Sequence, residues 1–197
     1  MFNDISSPAS LVATRRSAKP RDMVAPGPAT AQLHRILSGA IRTPDHGKLS
    51  PWRFVIVEAG QRDAFAALLH RAYAETKPEA GKAERAAIEE FAHQAPTLIV
   101  AISCPSHESH IPLWEQELSV GAACMNLLSA AHAEGFLGSW LTGWAAYSET
   151  VRTAFAPAGR IAGFIFLGSP SRALEERPRP DYDAVVTHWQ GEAGPGG

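Results

Sequence analysis

The sequence predicts one domain of mixed helices and strands, with a central sheet covered on both faces, and three observations carry that reading. Thr97 to Ser103 is an uninterrupted apolar run of strand length, the pattern of a strand buried on both sides. Trp52 to Val57, bounded by Pro51 and Gly60, and Ile161 to Leu167, closed by Gly168-Ser169-Pro170, have the same buried-strand character. The stretch from about Pro112 to Glu134 is a helix whose apolar residues run nearly all the way round, so it is buried either centrally or against a second subunit.

Composition limits what such a domain does. A chain of 197 residues, 45% hydrophobic and 19% charged, can bury a sizeable core. Its length favours one domain over 1–197, with 1–10 and 190–197 as flexible ends. A net charge of -2 provides no broad basic field, which argues against nucleic acid or an anionic membrane as the main partner. No apolar stretch approaches the roughly 20 residues of a membrane helix, and Met1 to Ser10 lacks the pattern of a secretory leader. Cys104 and Cys124 show no C-x-x-C spacing and read as buried inert thiols rather than redox or metal groups. A cytoplasmic protein is expected.

The elements follow in chain order. Residues 1 to 13 are a lead-in that becomes helical near Leu11-Val12, and it delivers Thr14-Arg15-Arg16-Ser17 to the first ordered turn. Two guanidinium groups and a hydroxyl there suit a phosphate, because arginine offers two donors in a fixed fork; a frayed basic end is the competing reading. Pro20 to Pro28 is a connector without periodicity. From Thr30 as N-cap, Leu33, Ile36, Leu37, Ala40 and Ile41 fall on one helical face, and the helix ends at Pro44. The loop that follows, with Arg42, His46, Lys48 and Arg53, is stiffened by Pro44 and Pro51 and bent at Gly47. It reads as a ligand-facing connector or as a solvated surface loop.

A second amphipathic helix carries Phe65, Leu68, Leu69, Ala72 and Tyr73, and a third runs from about Lys82 to Ala92, with Lys77-Pro78-Glu79-Ala80-Gly81 as the break between them. The long helix ends at Gly135. Gly138-Ser139-Trp140-Leu141-Thr142-Gly143 is short, aromatic and glycine-bounded, so its backbone could approach a planar ligand. Ser148 caps a short helix to about Phe155. The tail from Arg177 is too proline-rich for a helix, yet Val185, Val186 and Trp189 suit packing on a partner subunit.

No G-x-G-x-x-G follows a strand and no P-loop is present, so any nicotinamide binds without a dinucleotide domain. His107 and His110 lack the H-E-x-x-H pattern, which makes a metal a minor alternative, and no G-x-S-x-G elbow supports hydrolysis.

Taken together, Thr14-Arg15-Arg16-Ser17, the block from Pro44-Asp45-His46-Gly47 to Pro51-Trp52-Arg53-Phe54, Trp114-Glu115-Gln116-Glu117, Gly135-Phe136 and Trp140-Leu141-Thr142-Gly143 resemble the FMN-dependent nitroreductase family, in its compact bacterial branch. The match spans about residues 11 to 189. The resemblance implies an α+β fold with a central, mostly antiparallel sheet flanked by helices, built as an intertwined homodimer with two FMN sites between the subunits. It also implies roles. Arg15, Arg16 and Ser17 would hold the FMN phosphate and ribityl chain, with Arg42 and His46 reaching the same flavin from the other subunit. Trp140, Leu141 and Thr142 would lie along the cofactor, Leu141 standing where a relative carries arginine. Ala130, Ala131, His132, Ala133, Glu134 and Gly135 would contact the nicotinamide of NADH or NADPH, and no metal is implied. An arginine-rich site favours both the phosphate and the negative charge that gathers on reduced flavin. The expected activity is ping-pong two-electron reduction of small planar electrophiles such as nitroaromatics or quinones, the two substrates sharing one pocket walled by Trp140, His46 and residues near Phe136. The alternatives are a non-catalytic flavin carrier and an FMN enzyme of the same fold with different chemistry.

Overall fold

Residues 1–191 are described by a computed structural model. Of the predicted flexible end at 190–197, residues 192–197 lie outside the described residues. The centre of the sheet is the apolar run: β3, Thr97–Ser103, is buried from its second residue onward. It lies antiparallel between β2, Trp52–Val57, and β5, Arg160–Pro170. β5 also pairs antiparallel with β4, Leu137–Leu141, and, at its end, with β1, Met23–Val24. Every ladder is antiparallel, and with helices on both faces this is the α+β architecture expected from the sequence.

Side-chain alternation along β3 and β5 divides the interior into two cores. Leu98, Val100 and Ile102 with Phe164 and Phe166 face one side, where α3 (Arg62–Thr76), α4 (Lys82–His93), α6 (Trp144–Tyr147) and α7 (Glu149–Phe155) pack. Ile99 and Ala101 with Ile165 and Leu167 face the other, covered by α2 (Thr30–Ala40) and α5 (Leu113–Ala133). Phe164 and Phe166 are fully buried and meet Phe91 edge-on at 5.3 and 5.5 Å between ring centroids. Burial of each ring contributes about 2 to 3 kcal/mol.

The structure corrects several boundaries. β2 was expected to be buried, but among the described residues it pairs only with β3, and as an edge strand it keeps Arg53 exposed and Phe54, Val55 and Ile56 half-buried. Thr30 is the first helical residue rather than the cap: Ala29 takes that place, its N–H donating to Gln32 Oε1 at 3.0 Å. α2 stops at Ala40, not Pro44, because the Thr43 hydroxyl donates to the Ala40 carbonyl at 2.9 Å and closes the last turn. β5 continues through Gly168-Ser169 to Pro170, where β1 pairs with it. The lead-in forms α1, Pro8–Thr14, capped by Ser7, and the proline-rich tail holds one short helix, α8, Tyr182–Val185.

α5 sets the frame for the site. Its C-terminus is sealed as expected at Gly135, which adopts φ +86°: the Gly135 N–H donates to His132 O and the Phe136 N–H to Ala131 O, both at 2.9 Å, the paired bonds of a Schellman turn. The buried stripe is Val120, Cys124, Leu127 and Ala131, whereas Trp114 and Leu118 stand 62% and 61% exposed. Among the described residues no helix is long and apolar enough to cross a membrane.

Candidate functional site

The N-terminal cationic cluster is held from two directions. Arg15 Nη1 donates to Ser17 Oγ at 3.2 Å, so the predicted pair shares one spot. Arg16 turns toward backbone, donating through Nε to the Glu175 carbonyl at 2.8 Å and through Nη1 to the Ser17 carbonyl. Arg179, from the tail, donates to the Arg15 carbonyl at 3.2 Å and to Glu176 Oε1 at 3.3 Å. Burial, followed by the charges of Arg179 and Arg16, pushes the Arg15 guanidinium below its ordinary pKa. Arg15 and Arg16, half-buried, and Arg179, exposed and paired with Glu176, make a cation-rich cluster whose charge suits an anion such as a phosphate.

Arg15 also lies close enough to His132 to act on it. The imidazole is 1% exposed, among the described residues neither ring nitrogen has a hydrogen-bond partner, and burial followed by the charge of Arg15 lowers its pKa to about 4. His132 therefore stays neutral. It sits in the last turn of α5 and lines a cavity of about 640 Å³ with Phe136, Leu174 and the N-terminal residues Met1, Phe2 and Asn3. Of the segment predicted to meet nicotinamide, Ala131 and His132 are buried, Ala130 is half-buried, and Ala133 and Gly135 are exposed. Glu134 is taken up by a bidentate ion pair with Arg35, 2.7 Å on each arm.

α2 and the loop after it run antiparallel along α5, pinned at successive points. Arg35 meets Glu134, Thr43 accepts from Asn126 Nδ2 at 2.7 Å, the Pro44 carbonyl accepts from Ser119 Oγ at 2.8 Å, and His46 Nδ1 lies 2.8 Å from Glu115 Oε2. The loop expected to be stiffened by its prolines is also held by polar residues of α5. Arg42 projects from the turn before Thr43 and is exposed, and His46 keeps 65% of its side chain exposed. His46 and the Arg15 cluster consequently sit at opposite ends of α5. Glu115 and His132 are 17 positions apart, about 25 Å of helix. One chain does not bring them together.

The Gly138-to-Gly143 stretch is largely strand, a reading that local sequence missed. A Cβ on Gly138 would lie 2.7 Å from Leu128 Cδ2, so this glycine serves the close approach of β4 to α5 rather than of a ligand. Leu141 is half-buried against the apolar core. Trp140 is 37% exposed, and its Nε1 donates to the Ala162 carbonyl at 3.0 Å. With Thr142, Arg160 and Glu117 it lines a hollow of about 290 Å³. The pocket wall expected from Trp140, His46 and Phe136 does not assemble in one chain: Phe136 faces the His132 cavity, Trp140 the hollow, and His46 the start of α5. His107 and His110 are exposed, and among the described residues no three His, Cys, Asp or Glu side chains cluster to hold a metal ion. Arg179 and Asn3 escaped sequence reasoning, since each reaches the cluster across a long sequence separation with no local motif to mark it.

Comparison with known proteins establishes the family and the fold. The family model described as Nitroreductase family matches residues 12–169. YdjA of Escherichia coli, whose name carries a provisional assignment as an NAD(P)H nitroreductase, is 34% identical over 182 residues, 91% of this chain and 97% of YdjA. Two solved structures share the fold. A nitroreductase-like family protein from Bacillus cereus superposes with a TM-score of 0.78 at 19% identity, covering 97% of this chain and 98% of its own. The FMN and NADPH-dependent nitroreductase NfnB, from sphigopyxis sp. strain HMH and solved as a mutant, gives 0.71 at 19% identity, covering 94% and 99%.

Proposed function

Because this chain belongs to the Nitroreductase family, and so is an NAD(P)H-dependent flavin oxidoreductase, we propose that it holds FMN non-covalently at sites built by two copies of itself and uses it to reduce planar electrophiles such as nitroaromatics and quinones. The observation that carries this reading is the cation-rich cluster of Arg15, Arg16 and Arg179 around Ser17. FMN bound there supplies hydride acceptance from NADH or NADPH and delivery to a second substrate.

The chain's own residues have the remaining tasks. Arg15, Arg16 and Ser17, joined by Arg179, grip the phosphate and favour negative charge nearby. Arg42 and His46 of a second copy reach the same cofactor. Trp140 offers an aromatic face, and Leu141 and Thr142, at and just past the end of β4, would help to hold the cofactor. Ala133 and Gly135, the exposed members of the Ala130-to-Gly135 segment, meet the nicotinamide. Without a separate dinucleotide domain, donor and acceptor take the same place in turn, which makes the kinetics ping-pong. The free thiols Cys104 and Cys124 suit a reducing compartment, and we assign the enzyme to the cytoplasm.

The experiment is reconstitution with excess FMN, desalting and absorbance, followed by steady-state kinetics with a nitroaromatic acceptor. Retained yellow flavin and parallel double-reciprocal lines are expected. Loss of all flavin on desalting sinks the reading, and intersecting lines sink the alternating scheme.

A further inference from the structure

We propose that Asn3 is a positioning residue for the phosphate grip, setting the backbone from which Arg15, Arg16 and Ser17 project; the proposal rests on the FMN reading above. The Asn3 side-chain amide closes a two-way bond with the backbone of one residue: Oδ1 accepts from Arg16 N at 2.8 Å, and Nδ2 donates to Arg16 O at 3.1 Å. The main chain adds to this. Asn3 N donates to Thr14 O at 3.0 Å, and Asp4 N donates to Thr14 Oγ1 at 2.9 Å, whose hydroxyl in turn donates to Ser10 O at 2.7 Å. Residues 3–4 thereby bond to Thr14 and Arg16, the two neighbours of Arg15, while the Arg15 carbonyl is taken by Arg179. The backbone is held on each side of Arg15, and its carbonyl is taken.

The residue type at position 3 follows from three requirements met together. One donor and one acceptor must be spaced to match a peptide N–H and C=O, and asparagine carries that pair on a short stem. Aspartate lacks the donor. The backbone is left-handed, φ +52°, a region that asparagine enters at less cost than most side chains. The side chain is also half-buried and lines the His132 cavity, where an unmatched amide would be costly. A two-bond mimic of strand pairing at the foot of a cation-rich cluster acts by pre-organisation: it spends ordering free energy on folding, so that less is lost when the phosphate arrives.

The test is equilibrium titration of the full chain, stripped of bound flavin, with FMN and with riboflavin, which lacks the phosphate. Asn3→Gly is the variant, because glycine keeps the left-handed backbone without strain while the side-chain amide is removed. FMN affinity is expected to fall about ten-fold while riboflavin affinity stays unchanged. If Asn3→Gly binds FMN as tightly as the natural chain, and the natural chain still prefers FMN over riboflavin, the role of Asn3 is overturned and the flavin reading stands. If both flavins weaken equally, Asn3 merely supports the fold and the proposal is again wrong. A natural chain that binds the two flavins alike removes the phosphate site itself, and the proposal with it.

Discussion

A neutral imidazole sealed at the end of α5 makes His132 a liability in acid. Its folded pKa of about 4 lies below the ordinary 6.5, so between those values the unfolded chain takes up a proton that the folded chain refuses. Stability is therefore complete above about pH 6.5 and declines as the pH falls toward 4, by about 3 kcal/mol in all. His132→Leu should flatten that part of the profile, and chemical denaturation of both proteins at pH 7 and pH 4.5 would reveal it. Equal slopes would mean that the imidazole finds a partner or a proton that its surroundings do not suggest. This state has no local signature: a histidine at a helix end usually reads as a favourable cation near the dipole, and its burial comes from the tertiary fold around the end of α5.

At the level of elements, α3 and α4 are joined by a buried guanidinium. Arg62, 6% exposed, donates to the carbonyls of Ala92 at 2.8 Å and Ala95 at 3.4 Å, and burial lowers its pKa to about 10. It caps the C-terminus of α4 from the first residue of α3, and it still carries its charge at neutral pH. Arg62→Met should destabilise the fold by about 2 kcal/mol, because a charged hydrogen bond is lost and the Ala92 carbonyl is left unmatched; urea unfolding of the two proteins measures it. The helices themselves were legible. Apolar spacing at Phe65, Leu69 and Ala72 and the break at Lys77 to Gly81 located α3 and α4 to within a few residues, as the unbroken run did for β3. β1 and β4 were not legible. Two residues are too few for periodicity, and Leu137 to Leu141 owes its strand character to β5 beside it rather than to its own composition.

For the whole molecule the exposed side of α5 is decisive. Trp114 and Leu118 stand proud of a helix whose other faces are filled, and the tail adds Val185 and Trp189 at 64% and 90% exposure. Apolar surface on that scale fits association with a second copy. Leu118→Glu should yield a monomer in sedimentation at micromolar protein, with flavin lost in parallel; a monomer that keeps its flavin would show that one chain suffices. The site was half legible for the same reason. The residues put forward for it, Arg15, Arg16, Ser17, Arg42 and His46, stand on short local motifs, but their division between the two ends of α5 depends on packing that local sequence does not encode. Under the proposed function that separation, about 25 Å along one helix, would couple two equilibria: an FMN touching both ends would do so across a subunit boundary, as a clasp, and mass action would tie its occupancy to assembly. Dilution should release flavin from a protein whose fold is otherwise intact, added FMN should shift the monomer–dimer balance by the same factor, and fluorescence of the freed flavin against protein concentration reads both.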